Sequence, residues 1–155
     1  MTAKKPLLNF ILLDERWEQL VPSWQEDSTY AFEKAVIFLG KDFAHKEVSL
    51  VLMNDKEIQV LNKTFRHHDT PTNVLSFPSD EREELGDIIL AFETVKREAN
   101  EAGISPLHHM LHLIIHGFLH LLGYDHEEDE AAQKMETLEI QILGTLNIAN
   151  PYEDR

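Results

Sequence analysis

The segment that most constrains this fold lies between Ser105-Pro106 and Gly123, where about 107–122 is apolar on every side except where histidines interrupt it. A helix that is hydrophobic all round cannot sit on a surface, so the pattern predicts a central helix wrapped by the rest of the chain. Proline is tolerated in a first helical turn, and a glycine just past the last turn can take the left-handed conformation that closes a helix. Around this helix the periodicity predicts strands at 7–13, 47–53 (EVSLVLM), 73–77 and 87–90. It predicts further helices over roughly 29–40, capped by Ser28 and closed by Gly40, and over roughly 91–102 and 128–145. Another starts after Asn54, with Glu57 in the capping-box position and Ile58, Leu61 and Phe65 on one face. The acid-rich stretch 78–86 reads as a loop. Repeats, low-complexity tracts and linkers are absent, so the expectation is a single α+β domain over 1–155: a small mixed sheet packed with helices around a central histidine-bearing helix.

Composition narrows the function. With 43% apolar residues, 155 residues can bury a sizeable core. Absence of cysteine removes disulfides, thiolate zinc sites and cysteine nucleophiles, and is compatible with a cytoplasmic location. The 14 Lys and Arg against 28 Asp and Glu leave a net charge of −14, which argues against a general nucleic-acid-binding surface built on phosphate neutralisation. Much of the acid is concentrated at Asp80, Glu81, Glu83 and Glu84, and at Glu127, Glu128, Asp129 and Glu130. No run approaches the roughly 20 apolar residues of a membrane span. Lys4 and Lys5 before an apolar run resemble a secretory leader, but Asn9 interrupts that run and Asp14-Glu15-Arg16 ends it, so a strand is expected there.

Six of the nine histidines fall between 108 and 126. His116 and His120 are four apart, so on a helix both rings emerge on one face and can chelate one ion. A chain reversal at Gly123 would bring His126 back as a third ligand, leaving the fourth zinc position open for water as in a catalytic site. His112 is eight residues from His120, about 12 Å along a helix axis, too far for both to reach one ion. It is expected in the core or behind the ligands, with His108 and His109 exposed at the helix start.

The run His116–His126, HGFLHLLGYDH, has the H-x-x-x-H-x-x-G-x-x-H spacing of the metzincin peptidases, a zincin-like arrangement. Those enzymes carry a glutamate general base at the second position, where this chain has Gly117, so the peptidase reading lacks its base. The same run resembles the signature of the YbeY family, bacterial single-strand-specific endoribonucleases of rRNA maturation. Two further blocks agree: Leu61–Pro78 (LNKTFRHHDTPTNVLSFP) is similar to the family's L-N-x-x-[YF]-R-x-x-D-x-P-T-[DN]-V-L-S-F-P run, and Leu85-Gly86-Asp87-Ile88 to its L-G-D-I strand.

The resemblance implies one zinc ion per chain on His116, His120 and His126, and a functional arginine at Arg66. It also implies roles in 16S rRNA 3′-end processing and ribosome quality control, with single-stranded precursor rRNA as substrate. A small-subunit ribosomal protein and the GTPase Era are the partners it implies. The chemistry is coherent: a zinc-activated water at His116 and its companions would supply the nucleophile, and Arg66 a guanidinium for the phosphate. Lys63, one turn before Arg66, could guide RNA, and His67 and His68 could stack on it. Asp69 is expected to accept backbone N–H bonds in a turn. Ser76, Asp87 and Asp125 are candidates for orienting groups beside the site. A non-catalytic assembly factor with structural zinc is the remaining alternative.

Overall fold

The computed structural model describes residues 3–153. The elements run β1 (Leu7–Leu12), α1 (Arg16–Leu20), α2 (Trp24–Leu39), β2 (Glu47–Met53), α3 (Asp55–Arg66), β3 (Val74–Pro78), β4 (Glu84–Ala91), α4 (Phe92–Ala102), α5 (Pro106–Leu121) and α6 (Asp129–Thr145). They form the expected α+β architecture. The sheet has the order β1-β2-β4-β3, parallel at β1, β2 and β4, with β3 antiparallel to β4 at one edge. Among the described residues no helix is long and apolar enough to cross a membrane.

Strand alternation divides the sheet into two faces. Val48, Leu50 and Leu52 of β2, with Ile88 and Leu90 of β4, join the main core, whereas Val51, Met53, Ile89 and Ala91 face a smaller cluster closed by Ile58 of α3. In the main core α5 is the central element: Met110, Ile114, Ile115, Phe118 and Leu119 are fully buried. Phe118 sits edge-on to Phe32 and Phe43, with ring centroids 5.2 and 5.7 Å apart. The cap at α3 forms as the sequence predicts, and α5 opens at Ser105-Pro106 as expected, with Ser105 as its cap. The Asn54 side chain accepts from the Glu57 N–H at 2.8 Å, and Ser105 Oγ from the His108 N–H at 3.0 Å.

Other elements differ from the sequence reading. Ser28 is no cap: α2 begins a turn earlier at Trp24, and Ser28 is buried inside it. The short helix α1 carries a single buried residue, Trp17, and too few residues to show a period. β4 starts at Glu84, inside the expected loop, because Glu47 of β2 pairs with it; tertiary pairing overrides the weak strand preference of the acids. Phe65 is 60% exposed and does not join the buried face of α3, which is carried by Ile58 and Asn62.

Gly86 explains its place in the third motif. Its φ is +136°, and a Cβ there would overlap the Phe77 carbonyl across the β3–β4 pair, so only glycine lets the strands approach.

Candidate metal centre

α5 ends at Leu121, and Gly123, with φ +100°, turns the chain back. The reversal carries His126 to the two helical histidines. Ring centroids of His116 and His120 are 4.8 Å apart, those of His116 and His126 5.3 Å, and those of His120 and His126 5.0 Å. The three ligand atoms lie within 4.8 Å of one another, and this is the one such group among the described residues. His112 stands apart, 6.4 Å from the His116 ring.

The donor set fits a transition metal. Burial first, then the neighbouring rings of His116 and His126, hold the His120 imidazole below its usual range. The neutral form needed for ligation is thereby favoured. Three neutral imidazoles suit zinc and its first-row neighbours.

Behind the triad lies a residue that the motifs do not contain. Glu139 of α6 is completely buried, and its Oε1 is 3.0 Å from His116 Nδ1 and 3.1 Å from His112 Nε2. The Tyr152 hydroxyl donates to the same carboxylate, 3.0 Å from each oxygen. Burial alone would push the Glu139 carboxyl up, but the hydrogen bonds from His112 and His116 prevail and hold it at about 2. An ionised carboxylate can only accept, so His116 must donate from Nδ1, which leaves the Nε2 lone pair for an ion. This is the outer arrangement that fixes tautomer and ring orientation in histidine metal sites. A signal existed in the sequence: Glu139 falls on the apolar stripe of α6 with Met135, Ile142 and Leu143, a charge at a core position.

Arg66 lines the same cleft as the triad. It is the last residue of α3, which ends at His67 in the left-handed conformation, φ +61°. Asn62, buried one turn earlier, donates from Nδ2 to the Thr70 carbonyl at 2.9 Å and ties down the following loop. Along edge strand β3, alternate backbone groups face outward. The Ser76 carbonyl is one of them, and Arg66 Nη2 donates to it at 2.6 Å. The guanidinium also lies over the Phe77 ring, 5.2 Å from its centroid. Arg66, Ser76, His116, His120 and His126 thus line one open cleft of about 570 Å³.

The remaining candidates sort by position. His68 and Asp125 line this cleft. Lys63 lies 3.9 Å from Asp69, and Asp69 accepts from the Gln59 side chain through Oδ1 at 3.0 Å, in place of the expected backbone bonds. Asp87 is not beside the site: Ile88 packs against α5, so Asp87 points to the opposite sheet face, where partial desolvation raises its carboxyl against a lowering hydrogen bond from Ser49. His108 is exposed as expected, but His109 is buried, its Nε2 2.8 Å from Glu98 Oε1. A larger cavity of about 800 Å³ near His108 and His109 lacks Arg66 and the triad, and Glu98, Glu101 and Glu153 on its wall would repel a phosphate.

Gly117 has a steric as well as a chemical consequence. A Cβ there would come within 2.8 Å of Ile88 Cγ2 and 3.0 Å of Ser76 Oγ. The helix is pressed against β3 and β4 so closely that a glutamate base has no room. Gly117→Ala is expected to destabilise by about 1–3 kcal/mol through overpacking, despite alanine's better helix propensity. Chemical denaturation of the two proteins checks this; equal or higher stability would contradict the close packing.

The chain is similar to known proteins over most of its length. The family model described as Endoribonuclease YbeY matches residues 13–147. A protein named Endoribonuclease YbeY from Bradyrhizobium diazoefficiens is 41% identical, covering 97% of this chain and 87% of the relative. One of the same name from Azorhizobium caulinodans is 43% identical, covering 94% and 95%. Among solved structures, the solution structure of TM1509 from Thermotoga maritima is similar at a TM-score of 0.57 and 28% identity, covering 96% of this chain and 97% of that one. The match spans every element that builds the cleft, and on it the chain belongs to the YbeY family of endoribonucleases.

Proposed function

We propose that this endoribonuclease cuts single-stranded rRNA in the cytoplasm, in 16S 3′-end maturation and ribosome quality control, with one zinc ion on His116, His120 and His126. The observation that carries the reading is the convergence of Arg66 with the three histidines in one cleft, from elements on opposite sides of an edge strand. When bound, zinc supplies a water whose pKa is lowered towards 7 as the nucleophile. Arg66, always charged, offers its guanidinium to the phosphate oxygens where negative charge builds during attack. The Ser76 carbonyl and Phe77 ring hold that guanidinium in place before substrate arrives. Glu139 holds His116 in the tautomer that ligates.

The acidic surface opposes general RNA binding, which favours delivery of substrate by the small ribosomal subunit, one of its proteins or the GTPase Era. Arg66→Ala is expected to lower kcat/KM on a labelled single-stranded RNA by roughly 10²–10³-fold, as when one transition-state donor is removed. Lysine should restore only part, because it lacks the planar fork. Cleavage unchanged in both Arg66→Ala and His116→Ala would mean that a contaminating nuclease did the cutting. Loss of fold on metal removal, with cleavage untouched by Arg66→Ala, would favour the assembly factor.

A further inference from the structure

Phe65 is not used by the core or by the mechanism above. It is 60% exposed at the last turn of α3, where burial would have been expected from its spacing with Ile58. A lone exposed phenylalanine means little, but this one is part of an assembly. Its ring stands edge-on to half-buried Phe77, with centroids 5.6 Å apart, and Phe77 in turn carries the Arg66 guanidinium at 5.2 Å. An open aromatic surface therefore adjoins the cation that lines the cleft.

We propose that Phe65, braced by Phe77, is a stacking platform for one unpaired nucleobase of the RNA, adjoining the nucleotide whose phosphate Arg66 holds. This rests on the single-stranded RNA reading and extends it to a subsite. Two observations and the chemistry of the bases select a nucleobase as the occupant. The platform is aromatic and solvent-exposed, every base has a π-face, and a positive group for the attached phosphate lies next to it. Stacking also suits a chain of net charge −14, since it adds affinity without requiring a basic surface. A base held in a duplex cannot offer its face to such a platform, so the subsite would contribute to single-strand preference.

The test combines a protein change with a substrate change. Binding and cleavage of a short single-stranded oligoribonucleotide are measured for wild type, Phe65→Leu and Phe65→Trp, with the intact oligomer and with versions lacking one base at each position in turn. The platform predicts that Phe65→Leu raises Kd and KM roughly 5- to 30-fold and that tryptophan restores them. It also predicts one position at which base removal weakens wild-type binding to the same degree while leaving Phe65→Leu unaffected. Equal affinity of wild type and Phe65→Leu for the intact oligomer overturns the proposal, as does an abasic series with no position that distinguishes them. Should Phe65→Leu melt early, the abasic series on wild type and Phe65→Trp decides by itself: no sensitive position overturns the platform. If wild type neither binds nor cuts the intact oligomer, the single-stranded RNA reading fails; if it cuts normally and only the Phe65 comparisons are flat, the platform alone fails.

Discussion

Replacing His116 by alanine is expected to abolish stoichiometric zinc binding and reduce RNA cleavage to below about 1% of wild type, since even outer partners of metal ligands cost 10–100-fold. The effect should exceed that of losing His126, because His116 joins two networks. Its ring adjoins those of both other histidines, while its Nδ1 bonds the buried Glu139 carboxylate. Metal analysis of purified wild type and variant, together with cleavage of a defined RNA, tests this. Chelation of wild type should mimic the variant, and zinc should restore activity to the chelated wild type but not to His116→Ala. Full metal occupancy in the variant would remove the three histidines as the ligand set.

Glu139→Gln is the second large expected effect, although the residue is outside every motif. The carboxylate takes hydrogen bonds from His112, His116 and Tyr152 without exposure to solvent. An amide could keep its oxygen towards the two histidine N–H groups, but it removes the negative charge they share and puts an NH2 where Oε2 accepted from Tyr152, whose hydroxyl must turn from donor to acceptor. The expected loss is about 3 kcal/mol for the broken buried network, or roughly 6–12 °C in Tm for a domain of this size. Zinc affinity should fall about 10–100-fold as His116 loses its fixed tautomer.

The pH dependence has a definite sign. Glu139 is held at about 2, below its ordinary 4.5, so its contribution to metal-free stability is complete above 4.5 and lost as pH falls towards 2. The metal-free Gln variant should lack that part of the acid dependence. Calorimetry across this range, with zinc titrations at neutral pH, checks both parts. A variant with wild-type Tm and zinc affinity would show that Glu139 merely fills space.

Local rules were sufficient where a signal and its consequence lie within a few residues. The Asn54 cap, the start of α5 at Ser105-Pro106, the helix ends near Gly103 and Gly123, strand β2 and the buried character of α5 could all be read that way. They failed where two signals competed or where pairing decided. The capping preference of Ser28 points to a start there for α2, but burial of Trp24 and Ser28 against the core carries the helix back to Trp24. His109 looked like an exposed residue of a first turn because Glu98, its partner on α4, is 11 positions away. Asp87 was placed on the right strand but faces the wrong way for the site.

By itself the sequence determined the three-histidine constellation, because the helical repeat aligns His116 with His120 and a glycine lets the next turn return His126. Only the tertiary structure decided what surrounds it. Arg66 shares a cleft with the triad by reaching the exposed edge of β3, and Glu139 meets His116 because α6 packs its charged core position against α5. A periodic pattern states that a face is buried. It cannot state which element buries it, since that choice belongs to the packing of the whole chain.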